Sequence, residues 1–204
     1  MNRKNNNMTQ HFTTSPQNTD RDAHIRDAQT AVIARMKSDP GKARSTIKTN
    51  GHIGEGLACH VTQGRFEMML DMGRAMGGEC AGLSPGFHGR ATIAACVAMA
   101  VKMLAARESV RFEAVDVSVE MDFDDAALFG LGSGHAAPLD TRIAIDVTTD
   151  AADSTVRGIV DQALAWDIWY LALRDPQQVS TRLSVHEPGR VPGGQRAQHG
   201  KNPQ

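Results

Sequence analysis

The stretch SPGFHGRATIAACVAMAVKMLAAR, from Ser84 to Arg107, decides the fold. Ser84 followed by Pro85 is helix-start chemistry: a hydroxyl to cap the first free N–H groups, then a residue whose fixed φ suits the first turn. From Phe87 to Arg107 the chain is apolar almost all round, through Ile93, Ala94, Ala95, Cys96, Val97, Met99, Val101, Met103 and Leu104. A helix without a wide polar face is a buried one. Arg90 and Lys102 punctuate it, and the sequence reading finds no apolar run approaching a bilayer span. This segment is expected to be the central helix of its domain.

Upstream of it, Leu57, Cys59 and Val61 alternate with Ala58, His60 and Thr62. After Gln63-Gly64, Phe66, Met68, Leu70 and Met72 alternate with Glu67, Met69 and Asp71. Period-two patterning on both sides of a Gly turn predicts a hairpin, which Gly77-Gly78 then breaks. Earlier still, Ile25, Ala28, Val32 and Met36 fall at helical spacing, predicting a helix over 22–37 that ends at Asp39-Pro40-Gly41. Downstream, Val115, Val117, Val119, Met121 and Phe123 alternate with Asp116, Ser118, Glu120 and Asp122, a strand with one wet side. A glycine-rich loop, Phe129 to Pro138, leads to a strand through Ile143, Ile145 and Val147. One amphipathic helix is predicted from Asp153 to Leu173, with Asp167 on its apolar stripe, and a last strand through Val179, Thr181, Leu183 and Val185. Strand runs segregated from helices argue for an α+β fold with antiparallel sheets rather than a doubly wound parallel sheet.

The 204 residues fit one domain with tails: a polar, unordered leader at 1–20, a folded domain at 21–185 and an unordered Gly- and Pro-rich tail at 186–204. With 22 basic and 23 acidic residues the net charge is −1, which gives no footprint for nucleic acid or an anionic membrane. The N-terminus lacks a secretory apolar block, so a cytoplasmic location is expected. Cys59, Cys80 and Cys96 form no CxxC pair, and the eight histidines form no metal-binding spacing. Free thiols, with no metal and no cofactor, are the expectation.

Gly77-Gly78, then Ser84-Pro85, then a buried helix carrying Ala94-Ala95-Cys96, resembles the core signature of the OsmC/Ohr (osmotically inducible / organic hydroperoxide resistance) superfamily. The later strands, glycine loop, second helix and last strand follow in that family's order, from about Arg26 to Val185. The resemblance implies an interlocked homodimer with two sites at its interface. It also implies a thiol-dependent hydroperoxide reductase site: two cysteines, an arginine that stabilises the attacking thiolate, a glutamate that holds the arginine, and a resolving disulfide. Matched residue by residue, the first cysteine is Cys96, but the second falls on Asp167, the glutamate on Gly86 and the arginine on or near His52.

Three of four positions therefore depart from the pattern, and a carboxylate near Cys96 opposes its ionisation. One reading makes Cys96 a small buried hydrophobe. Another makes Cys96 a nucleophile, His52 its base and Asp167 the orienting group. For Asp167 alone, the alternatives are exposure at the dimer edge or pairing with an arginine such as Arg90. Trp166, Trp169 and Tyr170 are read as packing, or as the lining of an apolar pocket. The expected function is a divergent family member with absent or reduced peroxidase activity and an apolar interface pocket for a small hydrophobic ligand. The alternatives are an active peroxidase using Cys96 with an organic hydroperoxide and an external thiol, and a structural or interaction protein.

Overall fold

The computed structural model describes residues 18–187, with side chains from residue 21. Its centre is α2, Pro85–Arg107, which begins as its sequence requires: Ser84 is extended, and its Oγ accepts the Phe87 N–H at 3.2 Å. The helix buries Ile93, Val97, Val101, Leu104, Ala105 and Ala106. Three other helices and a strand surround it: α1 (Asn18–Ser38), β4 (Ala114–Asp122), α4 (Asp153–Trp166) and α5 (Ile168–Arg174). By length and composition alone α2 could cross a bilayer, because an 18-residue stretch of it carries too few charges to exclude it. That corrects the sequence reading. Here the helix meets the demands of its apolar surface by packing in a protein core instead. The tightest part of that core joins Val101, Leu104 and Ala105 to Phe112, Ile159 and Ala163. Lys102 reaches out of it to Asp22 at 2.9 Å and to the Phe112 carbonyl, tying α1 to the central helix.

β4 pairs antiparallel with β5 (Asp140–Thr148), in register Val115↔Val147, Val117↔Ile145 and Val119↔Ile143 on the core side. The wet side opposes Asp116 to Asp146, while Arg142 donates to Glu120, Asp122 and Asp140. A short helix, α3 (Asp125–Leu128), capped by Asp124, precedes the predicted glycine loop. Phe123 falls just outside the strand and is exposed.

A second sheet, β1 (Asn50–Ile53), β2 (Cys59–Gln63) and β3 (Phe66–Leu70), is antiparallel throughout. The predicted hairpin turns at Gly64, whose φ of 58° favours glycine. β1 carries no alternating signal and forms because β2 offers it an edge. The register puts Ile53, Cys59, Val61, Met68 and Leu70 on one face, and His52, His60 and Met69 on the other. This sheet makes no substantial contact with the helices, so its apolar face is uncovered in the single chain. Ile53, Phe66 and Met68 are exposed there, as Met99 and Met103 are on α2.

Three further departures from the sequence reading have local causes. The helix predicted from Asp153 to Leu173 breaks at Asp167, which ends α4 and caps α5. The predicted last strand is not formed: residues 176–187 carry no helix or strand, and Val179, Leu183 and Val185 are exposed for want of a neighbouring strand. α1 starts at Asn18, inside the predicted leader. The rest of that leader and nearly all of the predicted tail lie outside the described residues.

Asp71, read as a wet-strand residue, instead organises the link between β3 and α2. Its carboxylate accepts N–H groups from Met72 (2.7 Å), Glu79 (3.0 Å) and Ala81 (2.9 Å), and the residue is only 3% exposed. Gly78 explains its own identity here, since a Cβ would stand 2.0 Å from the Met72 carbonyl oxygen. These donors, led by Ala81, hold the Asp71 carboxyl below its usual range. Its contribution to stability is therefore complete above the unfolded value of about 3.9 and lost as pH falls through the lower folded value. Asp71→Asn is expected to lower the thermal unfolding midpoint at neutral pH, with the gap to wild type closing as the pH drops below about 3.9. A gap that is absent at neutral pH, or unchanged in acid, contradicts this role.

Candidate functional site

Cys96 sits midway along α2, half-buried, and faces the break between α4 and α5. Asp167 makes that break, because its extended backbone (φ −82°, ψ 119°) cannot continue a helix. Its Oδ1 accepts the N–H groups of Trp169 (3.0 Å) and Tyr170 (2.7 Å), capping α5. Its Oδ2 is buried without any group in hydrogen-bond geometry, and the residue is 3% exposed. It neither faces solvent nor pairs with an arginine. The Cys96 thiol nevertheless lies close enough to feel the carboxylate.

That proximity sets the state of the thiol. Burial pushes the Cys96 pKa up first, and the nearby Asp167 carboxylate adds to it. The Trp169 N–H pulls weakly the other way, and the outcome is a rise from 9.0 to about 11. Near neutral pH the group is a neutral thiol.

The remaining matched positions do not join this pair. His52 is exposed on β1 and shares the face of His60 and Met69, opposite the sheet's apolar side. Where the family pattern has a glutamate, Gly86 leaves room for the Arg90 guanidinium, whose Nη1 lies 3.5 Å from the position of a Gly86 Cβ. Cys59 lies on the apolar face of the first sheet, and Cys80 is exposed in the loop held by Asp71; both are free. Among the described residues, no three His, Cys, Asp or Glu side chains cluster to hold a metal ion.

Beside the pair runs an open, mostly apolar groove of about 390 Å³ between α2 and α5. Gly89, Thr92 and Ile93 line it, at seven, four and three residues before Cys96 and so on the same helix face. Trp169, Ala172 and Leu173 form the other wall, with His88 on the rim. The sequence reading missed His88 and Thr92, although their spacing of eight and four residues from Cys96 would have placed them there. Trp166 is elsewhere, exposed, with Arg107 stacked 5.7 Å from its ring.

The geometry defines an α+β protein with a shielded thiol on its central helix, a carboxylate beside it and an apolar groove on the same face of that helix. The family model described as OsmC-like protein matches residues 77–181, just over half the chain, and the protein belongs to that family. The fold is similar to an OsmC-like protein from Mycoplasma pneumoniae at 11% identity, with a TM-score of 0.54 over 64% of this chain and 88% of that one. An organic hydroperoxide resistance protein OsmC from Legionella pneumophila is 20% identical, with a TM-score of 0.46 over 64% and 90%. The organic hydroperoxide resistance protein OhrB of Bacillus subtilis is also 20% identical, with a TM-score of 0.41 over 64% and 91%. No curated protein matches the sequence.

The carboxylate's effect on the thiol can be isolated. Asp167→Asn retains a capping oxygen for α5 but removes the charge. Each pKa unit changes the thiolate fraction about tenfold, so iodoacetamide should alkylate Cys96 about tenfold faster in this variant at mildly alkaline pH. An unchanged rate would mean that burial alone sets the thiol's state.

Proposed function

We propose that this chain is a divergent OsmC-family protein in which hydroperoxide reduction is absent or much reduced, and whose apolar groove binds a small hydrophobic ligand. The observation that carries this reading is the pairing of Cys96 with Asp167. Peroxide reduction by a thiol begins with attack of the thiolate on the peroxide oxygen, giving a sulfenate and an alcohol. A fixed cation would favour that thiolate; here burial and a carboxylate favour the thiol. No second cysteine stands at position 167 to resolve a sulfenate.

The retention of Cys96 beside the groove supports a second reading, a slow peroxidase recycled by an external thiol. Rapid mixing of the reduced protein with an alkyl hydroperoxide separates the two. Slow consumption, unchanged in Cys96→Ser, is expected. Fast, saturable consumption that disappears in Cys96→Ser would establish the enzyme instead. No consumption together with no ligand in the groove would favour a purely structural or interaction role.

The working unit is a homodimer, in a reducing compartment such as the cytoplasm where three free thiols persist. The supporting observation is the amount of apolar surface that one chain leaves open: Met99 and Met103 on α2, the Ile53–Phe66–Met68 face, and Val179, Leu183 and Val185. Scattered exposed apolar residues are ordinary, but contiguous apolar faces of this kind mark interfaces. Sedimentation at micromolar concentration is expected to give a dimer. A stable, well-folded monomer would contradict it.

A further inference from the structure

We propose that the polar face of the first sheet binds a cuprous ion, ligated by His52, His60 and Met69. The site lies on a different element from Cys96 and is independent of the reading of that thiol.

Strand pairing brings the three residues together, where no spacing in the sequence would. In the register of the sheet His52 of β1 stands directly opposite His60 of β2, and His60 directly opposite Met69 of β3. Direct partners share a face, with Cβ atoms about 4.5–5.5 Å apart. The result is a row of two imidazoles and a thioether across three adjacent strands, with His60 in the middle. The neighbouring row on the same face is Asn50, Thr62 and Glu67. Neither row contains a lysine or arginine to repel a cation.

The donor types select the ion. Thioether sulfur is a soft ligand that favours Cu(I), and imidazole suits copper as well as zinc. Met69 is the residue a purely structural face would not need: its neighbours in both rows are polar, and it is 42% exposed, so burial in a core does not account for it. Glu67 supplies negative charge beside the row, with Oε2 3.3 Å from His60 Nε2. A carboxylate next to the outer nitrogen of a ligating histidine fixes which ring nitrogen faces the metal, and here it leaves Nδ1. Only two of the three ligands are of the His, Cys, Asp and Glu kinds, so the site is compatible with the lack of a three-membered cluster of those kinds among the described residues.

The row is also accessible. His52, His60 and Met69 are all exposed, so their side chains can turn onto a common ion without moving the backbone. Gly54 leaves space beside His52, since a Cβ there would come no closer than 4.0 Å to its Nε2. Ile53, Val61 and Met68 point to the other side of the sheet, so a partner chain covering that apolar side leaves the row open.

Thiols also bind Cu(I), so the first test uses the full-length chain with Cys59, Cys80 and Cys96 replaced by serine. Titrated with Cu(I) without oxygen, against a chromogenic Cu(I) chelator, it is expected to take up one ion per chain. His52→Ala, His60→Ala and Met69→Leu should each weaken uptake by about tenfold or more, with circular dichroism unchanged. Met69→Leu should leave Zn(II) binding as it was. No uptake, or uptake untouched by the two histidine substitutions, would overturn the site. Zn(II) bound as tightly as Cu(I), and equally well in Met69→Leu, would overturn the cuprous assignment. A second measurement needs no serine substitutions: in the native sequence the Met69 methyl signal in a carbon–proton NMR spectrum, identified by its loss in Met69→Leu, should shift as Cu(I) is added. A signal that stays in place after the thiols are saturated would overturn the proposal even if the serine-substituted chain failed to fold.

Discussion

A helix of 23 residues with almost no polar face must be covered on every side, and the rest of this molecule is arranged around that need. α1, β4, α4 and α5 pack against it. Where cover is complete, around Val97, Val101 and Ala105, the core is dry. Where it is incomplete, two consequences follow. Toward Met99 and Met103 the chain leaves apolar surface exposed. Toward Gly89 and Ile93, α5 stands off far enough to leave a groove, on the helix face that also carries Cys96.

Asp167 connects packing to chemistry. The same residue that interrupts the α4–α5 helix spends one carboxylate oxygen on capping α5 and turns the other toward the core, beside Cys96. A buried carboxylate oxygen without a donor is costly, and a neighbouring thiol that keeps its proton is the arrangement that limits the cost. The site is therefore self-consistent as a neutral thiol beside a carboxylate, and poorly suited to generating a thiolate. Family membership alone would suggest the opposite chemistry, so the local charges carry more weight than the shared fold.

Much of the architecture was legible in the sequence because its signals were physical and local. Period-two alternation marked the β2–β3 hairpin and the strands through Val115 and Ile143, and Ser84-Pro85 marked the start of α2. β1 was not legible, since Asn50–Ile53 has no pattern and forms only by pairing with β2. The break at Asp167 was hidden because the residue falls on an apolar stripe, where a helical reading runs straight through it. Asp71 was misread for a similar reason: alternation placed it on the wet face, whereas it turns inward to collect three N–H groups, two from a loop eight and ten residues downstream and one from its neighbour. The segment through Val179 and Val185 has a strand's alternation without a strand's partner. At the site, Cys96 and Asp167 were nameable by matched position, but His88 and Thr92 emerged only once α5 was seen to run along that face of α2.

The central claim is that Cys96 is held as a protonated thiol near neutral pH by burial and by Asp167. It is tested most directly by titrating the ultraviolet thiolate absorbance of the reduced protein and subtracting the same titration of Cys96→Ser. The account predicts that the difference attributable to Cys96 stays flat through the ordinary cysteine value of about 8.5 and rises only toward a pKa of about 11. A thiolate step at or below that ordinary value would contradict it, and would return Cys96 to the role of an activated nucleophile.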